Sequence, residues 1–307
     1  MPEPTGRQGH IDAALTNVSI AYGNGPYING GIFPRLKVTK QSDKYFTFGK
    51  AAWYRDETGV RAPGAEANLA DYTIGTESYL CLEKAVAKKV TDEEIDNSDA
   101  PLQPMITATK FVTDQIEKSV EIDVIGLVFG TGWSSSATPG TLWSNDASVP
   151  LDDIETGMNT VAQLIGREPN VGVIGRGLWR YLKNHPDIVD RIKYTGSAGA
   201  PAKVGLDAIA GLVGLERILL TTALQDTGVE GAATSLAYIG GAHMWVGYVT
   251  PSPALAEPSA GYVFSLYDRK IERFRKDTAH TWIVEARQSW DARVTAADSG
   301  YLIKSAA

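Results

Sequence analysis

The chain has 307 residues and a mass of 33.0 kDa, long enough for about two domains. Apolar residues make up 43% and charged residues 21%, so a sizeable core is available and wholesale disorder is excluded. The 29 Lys and Arg against 36 Asp and Glu leave a net charge of -7, which argues against a protein that grips nucleic acid through a basic surface, and the one cysteine, Cys81, excludes an intrachain disulfide and a thiolate zinc site.

The first residues, MPEPTGRQGHID, lack the apolar stretch of a signal peptide, and no window of about 18 residues is apolar enough to span a bilayer. The chain is therefore expected to be soluble and intracellular at synthesis. Residues 1–36 carry turn-rich runs, Tyr22-Gly-Asn-Gly-Pro-Tyr27 and Asn29-Gly-Gly31, with apolar positions too sparse for a packed unit. They read as an extended arm that needs another surface to lie on. The weak positive excess of the first forty residues (Arg7, Arg35, Lys37 and Lys40 against Glu3 and Asp12) is not an arginine-rich, genome-condensing tail.

Residues 45–48 and 72–74 read as two strands. The polar stretch 50–71 between them cannot bury its own core and is long for a hairpin loop. It mixes Lys50, Arg55 and Arg61 with Asp56, Glu57, Glu66 and Asp71. A two-stranded arm is marginal alone in water, so a neighbouring molecule is its expected stabiliser. Trp53 beside Arg55 is the kind of anchor that interfaces use.

Val112, Ile116, Val120, Val124 and Val128 recur at every fourth position and predict a long helix over 101–129, with Asp99 and Pro101 suited to its start and Gly130 to its stop. Leu151, Ile154, Met158, Val161 and Ile165 predict a second helix between Pro150 and Gly166. A short strand at 171–174 follows, then a helix through Leu178, Trp179 and Leu182 ended by His185-Pro186. A mobile-looking stretch at 195–201 precedes a helix through Leu206, Ile209 and Val213, and strands are expected at 217–220, 236–239 and 244–248. Residues 150–250 thus read as a compact α/β unit. Strands at 262–267, 271–275, 281–287 and 300–303 close the chain, with the long helix as their natural cover.

Candidate chemistry is thin. Gly172-Val-Ile-Gly-Arg-Gly177 has neither the dinucleotide-binding nor the P-loop spacing and reads as a tight strand-to-helix turn. The acids of Thr91-Asp-Glu-Glu-Ile-Asp96 follow a capping-box pattern and complement a helix start better than they ligate a metal. Ser134 to Ser136 and Ser197 lack a nucleophile elbow and an assignable histidine. His185 reads as a capping or surface residue, and His10, His243 and His280 lie far apart. Cys81 reads as a small core residue. No catalytic, cofactor or metal residues are assigned.

The order (arm, mixed-charge hairpin, long helix, α/β unit, returning sheet) resembles the major capsid proteins of tailed double-stranded DNA phages, the Hong Kong 97-type family. The stretches that carry the resemblance are Phe33-Pro-Arg-Leu-Lys-Val-Thr-Lys-Gln-Ser-Asp-Lys-Tyr45, Trp53-Tyr-Arg-Asp-Glu57, Arg61-Ala-Pro-Gly64, Asn184-His-Pro-Asp-Ile-Val-Asp-Arg-Ile-Lys-Tyr194 and Pro258-Ser-Ala-Gly-Tyr262. It covers about 15–303.

The resemblance implies an α+β fold with an N-terminal arm (1–42), an extended loop (43–79), a peripheral domain (80–149 and 259–307) built on a spine helix, and an α/β axial domain (150–258). It implies a structural, non-enzymatic subunit of hexamers and pentamers in an icosahedral phage head around double-stranded DNA, assembled in the host cytoplasm. Portal and scaffolding proteins, and in some cases a decoration protein, are the implied partners. DNA is met only by non-specific proximity, and no membrane is involved. The alternative is an encapsulin-type compartment shell, of the same fold but enclosing an enzyme cargo; an α/β enzyme using 150–250 is a further rival. Expected subunit contacts are Trp53, Arg55, Asp56, Glu57, Arg61 and Glu66 in the loop, with ion pairs between copies from Arg55, Asp56, Glu57 and Arg61, and Tyr194, Gly196, Ser197 and Gly199 near the axial tip. Lys44 and Lys50 are available for the covalent cross-link some members form, but neither matches that role. Scaffolding is expected from a separate protein. A compact globule of this mass exposes about 12,500 Å²; an armed subunit exposes clearly more.

Overall fold

A computed structural model describes residues 10–11, 27–98, 103–193, 204–231, 233–253 and 257–307. Two mixed layers form around the long helix Pro104–Val128. Its apolar positions fall where 3.6 residues per turn places them: Val112, Ile116, Val120, Val124 and Val128 are all buried. Pro104 stands in its first turn with Gln103 as cap, so the helix begins later than 101, and Asp99 and Pro101 lie outside the described residues.

The first sheet runs in the order His10–Ile11, Gly261–Lys276, Thr281–Val294, Leu82–Thr91, with Arg35–Lys37 added in parallel to Gly261–Lys276. The long helix lies on this sheet, and Val284, Ala286, Trp290, Ile271 and Val90 share its core. Sequence pattern alone split 262–275 into two strands. It is one strand, with register irregularities between Ser265 and Lys270 that absorb the polar Asp268-Arg269 pair as a bulge. Leu82–Thr91, an edge strand, was not expected from the sequence.

The second sheet runs Ser135–Ala137, Gly300–Ile303, Met244–Gly247, Val171–Gly175, Arg217–Thr221. Gly300–Ile303 was expected under the long helix with the other C-terminal strands; it pairs instead with Met244–Gly247, from Met244↔Ile303 to Gly247↔Gly300. Both faces of this sheet are buried. Val171, Val173, Trp245 and Leu302 face the first core, while Ile174, Met244, Val246, Tyr301 and Ile303 face a second. The helices Pro150–Ile165, Arg176–Leu182, Pro186–Lys193 and Leu206–Val213 belong to that second layer. Leu151, Ile154, Met158, Val161 and Ile165 are buried as their spacing requires, and Gly166 caps the helix with φ 67°. Pro186 was read only as a stop for the preceding helix. It also opens Pro186–Lys193, because proline at a first helical position has no hydrogen bond to lose.

The capping box at Thr91 and Glu94 forms as the sequence indicates. Cys81 is fully buried between Tyr79 and Phe264. The 172–177 glycines make a tight turn: a Cβ on Gly175 would stand 2.2 Å from the Gly241 carbonyl oxygen. His185 is not at the surface. It is 2% exposed, with Nε2 3.0 Å from the Ser148 hydroxyl and 3.3 Å from the Asn145 carbonyl oxygen. The Ser148 hydroxyl itself donates to Asn145 O at 2.8 Å, which leaves it poorly placed as a nucleophile and explains the group as a buried hydrogen-bonded brace.

Candidate assembly surface

Ser42–Phe48 and Ile74–Leu80 pair antiparallel in continuous register, from Ser42↔Leu80 to Phe48↔Ile74. The hairpin is longer at its base than the sequence indicated, and Tyr72 and Thr73 lie beyond its second strand. Its base is bound to the body. Tyr45 stacks on Phe264 at 5.6 Å, Tyr79 on the same ring at 4.6 Å, and the Leu80 amide donates to Asp291 at 2.9 Å.

Beyond the strands the chain makes one short helix, Lys50–Tyr54, and this too touches its own body. Lys50 Nζ is 2.9 Å from Asp298, and the Tyr54 hydroxyl donates to the Ile165 carbonyl oxygen. The Ser134 hydroxyl first, and Lys50 after it, hold the Asp298 carboxyl below its ordinary range. Trp53 sits edge-on to Phe48 at 6.3 Å and beside Tyr72 at 6.0 Å, yet it is 60% exposed. These two ties correct the expectation of a ribbon with no support of its own.

Past Tyr54 that support ends. Among residues 55–72 no helix or strand forms, and Val60 and Leu69 are fully exposed. Arg55 pairs weakly with Glu57 of the same loop at 3.6 Å, and Asp56 accepts from the Thr58 amide and hydroxyl, which lowers its pKa. Arg61 and Glu66 are exposed. Of the four loop charges expected to pair across copies, Arg55, Asp56 and Arg61 are exposed and Glu57 is half-buried, with Arg55 and Asp56 held in shape by local bonds. Tyr194, Gly196, Ser197 and Gly199 lie outside the described residues. A second exposed apolar patch went unread in the sequence: the small ribbon of Leu224–Asp226 and Leu236–Tyr238 shows Leu224, Val229, Leu236 and Tyr238 to solvent.

The N-terminal segment behaves otherwise. From Tyr27 onward it lies on the chain's own long helix, and Ile32 and Phe33 are fully buried, with Phe33 edge-on to Trp245 at 6.5 Å. His10–Ile11 pairs with Glu272 and Arg273 of the same chain. The expectation that this arm needs a foreign surface fails for its described residues. Two adjacent apolar side chains suffice to dock it, where a count of apolar positions found too few. The rest of 1–26 lies outside the described residues.

The accessible surface is 17,809 Å². That is well above the roughly 12,500 Å² of a compact globule of this mass.

No family model matches the chain. The major capsid protein of Pseudomonas phage JBD67 is 28% identical over 308 residues, spanning 96% of this chain and 97% of that protein. The major capsid protein of Burkholderia phage BcepMu is 26% identical over 306 residues, spanning 95% of each. A crystal structure of a phage-related protein from Bordetella bronchiseptica superposes with a TM-score of 0.75 at 24% identity, covering 98% of this chain and 99% of that one. Phage capsids are among other solved structures that share the fold. The class is thereby defined: an α+β protein of the Hong Kong 97-type fold. The chain is similar over nearly its whole length to phage major capsid proteins, and its role is a structural one in a capsid. The compartment-shell alternative is the less supported of the two readings.

Proposed function

We propose that this chain is the repeating wall subunit of a phage head, forming hexamers and pentamers that close into an icosahedral shell around double-stranded DNA, without catalytic activity of its own. The observation that carries this is the loop at 55–72. It exposes Val60 and Leu69 completely, makes no helix or strand, and leaves Trp53 mostly open on a hairpin otherwise well fastened. Large exposed apolar groups rimmed by charge mark protein interaction sites. A copy of the same chain is the occupant that a shell supplies at every position.

In this reading the loop lies over a neighbouring copy. Trp53 is its anchor, and Arg55, Asp56, Glu57, Arg61 and Glu66 form its charged rim. Each exposed pair contributes about 0–1 kcal/mol, and repetition around a closed shell multiplies the effect. The body with the long helix serves as the peripheral domain and 150–258 as the axial domain, with Tyr194, Gly196, Ser197 and Gly199 near the capsomer centre. The strand Gly300–Ile303, assigned by sequence to the peripheral domain, is shared between them because it completes the second sheet. Assembly in the host cytoplasm, with portal and scaffolding proteins and in some heads a decoration protein, belongs to the same proposal.

Electron microscopy of the purified recombinant chain tests it. Closed particles or capsomers are the expected result, and a monomer that stays dispersed at high concentration would refute it.

A further inference from the structure

The ribbon of Leu224–Asp226 and Leu236–Tyr238 has two unlike sides. Side chains alternate along a strand, and cross-strand partners share a face. The register Tyr238↔Leu224 and Leu236↔Asp226 therefore puts Leu224, Asp226, Leu236 and Tyr238 on one side, and all four are exposed. Gln225 and Ala237, on the other side, are half-buried. A two-stranded ribbon is marginal in water, and three large apolar groups gathered on its open side are a patch rather than scattered surface residues. The tip adds Val229, 80% exposed, beside an exposed Glu230. Both charges over 224–238 are negative, and Asp226 is already taken by the Gly228 and Ser235 amides at 2.9 Å, which leaves Glu230 free to meet a cation.

The helix Arg176–Leu182 carries the opposite charge. Arg176, Arg180 and Lys183, spaced four and three residues apart, form one exposed ridge, and 176–184 contains no acid. None of the three has a carboxylate within ion-pair distance among the described residues. Arg180 lies over the Tyr181 ring at 4.4 Å, and both line a cleft of about 200 Å³ with Trp143, Asn184 and Asp146. In a chain of net charge -7, an unpaired basic ridge is the exception.

The fold turns these two surfaces away from each other. Val171–Gly175 and Arg217–Thr221 run parallel with Gly175 opposite Thr221, so helix and ribbon leave the same end of the second sheet. They diverge to opposite faces of it: Leu178 and Leu182 pack in the second core, whereas Ile239, just after the ribbon, packs against the first. Two different patches flanking one end of a molecule make a head-to-tail contact between copies, and such contacts close into a ring when the rotation allows.

We propose that the apolar, acidic ribbon of one copy docks on the basic ridge of the next, with Val229 and Glu230 entering the cleft on its Arg180 side, away from Asp146. Placing this contact within a hexamer or pentamer rests on the capsid reading; the contact itself does not.

Mixing full-length copies carrying Glu230→Cys with copies carrying Arg180→Cys, then oxidising the concentrated solution, reads the contact directly, because the native Cys81 is buried. Cross-links joining one variant to the other are expected; links between like copies alone, or none, would overturn the contact. Charge reversal tests the pairing. Arg180→Glu and Glu230→Arg should each lower particle yield by about two- to fivefold, and the double variant should recover it. Undiminished yield in the single variants, or a loss that the double variant does not recover, would remove the Glu230–Arg180 pair. Leu236→Asp should lower yield about tenfold, and wild-type yield would remove the apolar face. All these variants should unfold as the wild-type subunit does; one that melts far earlier would show the surface bracing its own chain instead. A wild-type chain that builds no particles sinks the capsid reading, and mixed cross-links in that same solution would still support the contact.

Discussion

The strap at 27–37 and the loop at 55–72 are both rich in turn residues, yet one is built into its own subunit and the other is left open. The strap has the larger share of big apolar side chains, and it also has them where they can dock. Ile32 and Phe33 are adjacent, meet Trp245, and are followed by a strand that finds an edge to pair with. Val60 and Leu69 stand apart in a stretch with no strand or helix to aim them, and both point to solvent. Turn residues mark both segments as irregular; only the fold shows which of them is docked within the chain.

Substitutions separate the two segments sharply. Phe33→Ala should cost about 3–5 kcal/mol of subunit stability, read by urea or thermal unfolding, because it empties a filled site beside Trp245. Leu69→Asp should change subunit stability by no more than about 0.5 kcal/mol, since the side chain touches nothing that folding buries, while particle yield by electron microscopy falls steeply. If instead Leu69→Asp unfolds the subunit and Phe33→Ala does not, the contrast between strap and loop is wrong. Arg55→Glu should leave the melting temperature within a degree or two and lower particle yield by a smaller factor; unchanged yield would remove Arg55 from the proposed interface.

Acidity gives the smallest effect and the finest test. Burial raises the Glu121 pKa, opposed by the Ile28 and Asn29 hydrogen bonds and aided by Glu117 nearby. Asp298 is depressed, so the Lys50 tie is intact above 3.8 and is lost as pH falls through the lowered value. Exchange followed from pH 3 to 7, corrected for intrinsic rates, should show 48–54 closing as pH rises. Protection of 48–54 that does not change with pH would refute the assignment of Asp298 to this tie.

Much of this architecture was legible in the sequence where periodicity is long and termini are marked. In the long helix spacing and burial agree although it starts later than expected, and in the Pro150-to-Gly166 helix spacing, burial and both ends agree. Short apolar runs are where it failed. Gly300–Ile303 carries no signal of which sheet it joins, since pairing partners are set by distant chain. Glu121 was missed although it had a signal: an acid set between Val120 and Val124, inside the stripe that faces inward. A charged residue at such a position calls for a partner, and the partner was backbone amide, which no side-chain pattern reveals. The loop charges were readable as a group, but their local bonds, such as Asp56 with Thr58, depend on turn geometry rather than spacing.

Gly300–Ile303 has a mechanical meaning. Leu302 is seated in one core while Tyr301 and Ile303 are seated in the other, and Gly300 is wedged where a Cβ would strike both Trp133 and Trp245 at 2.5 Å. Neither half of the molecule can be drawn sideways without dragging this strand, so tension applied at one end is handed across the seam through hydrogen-bonded backbone rather than through a compliant linker. A wall subunit of the proposed kind must not shear along its middle, and this strand pins the chain there.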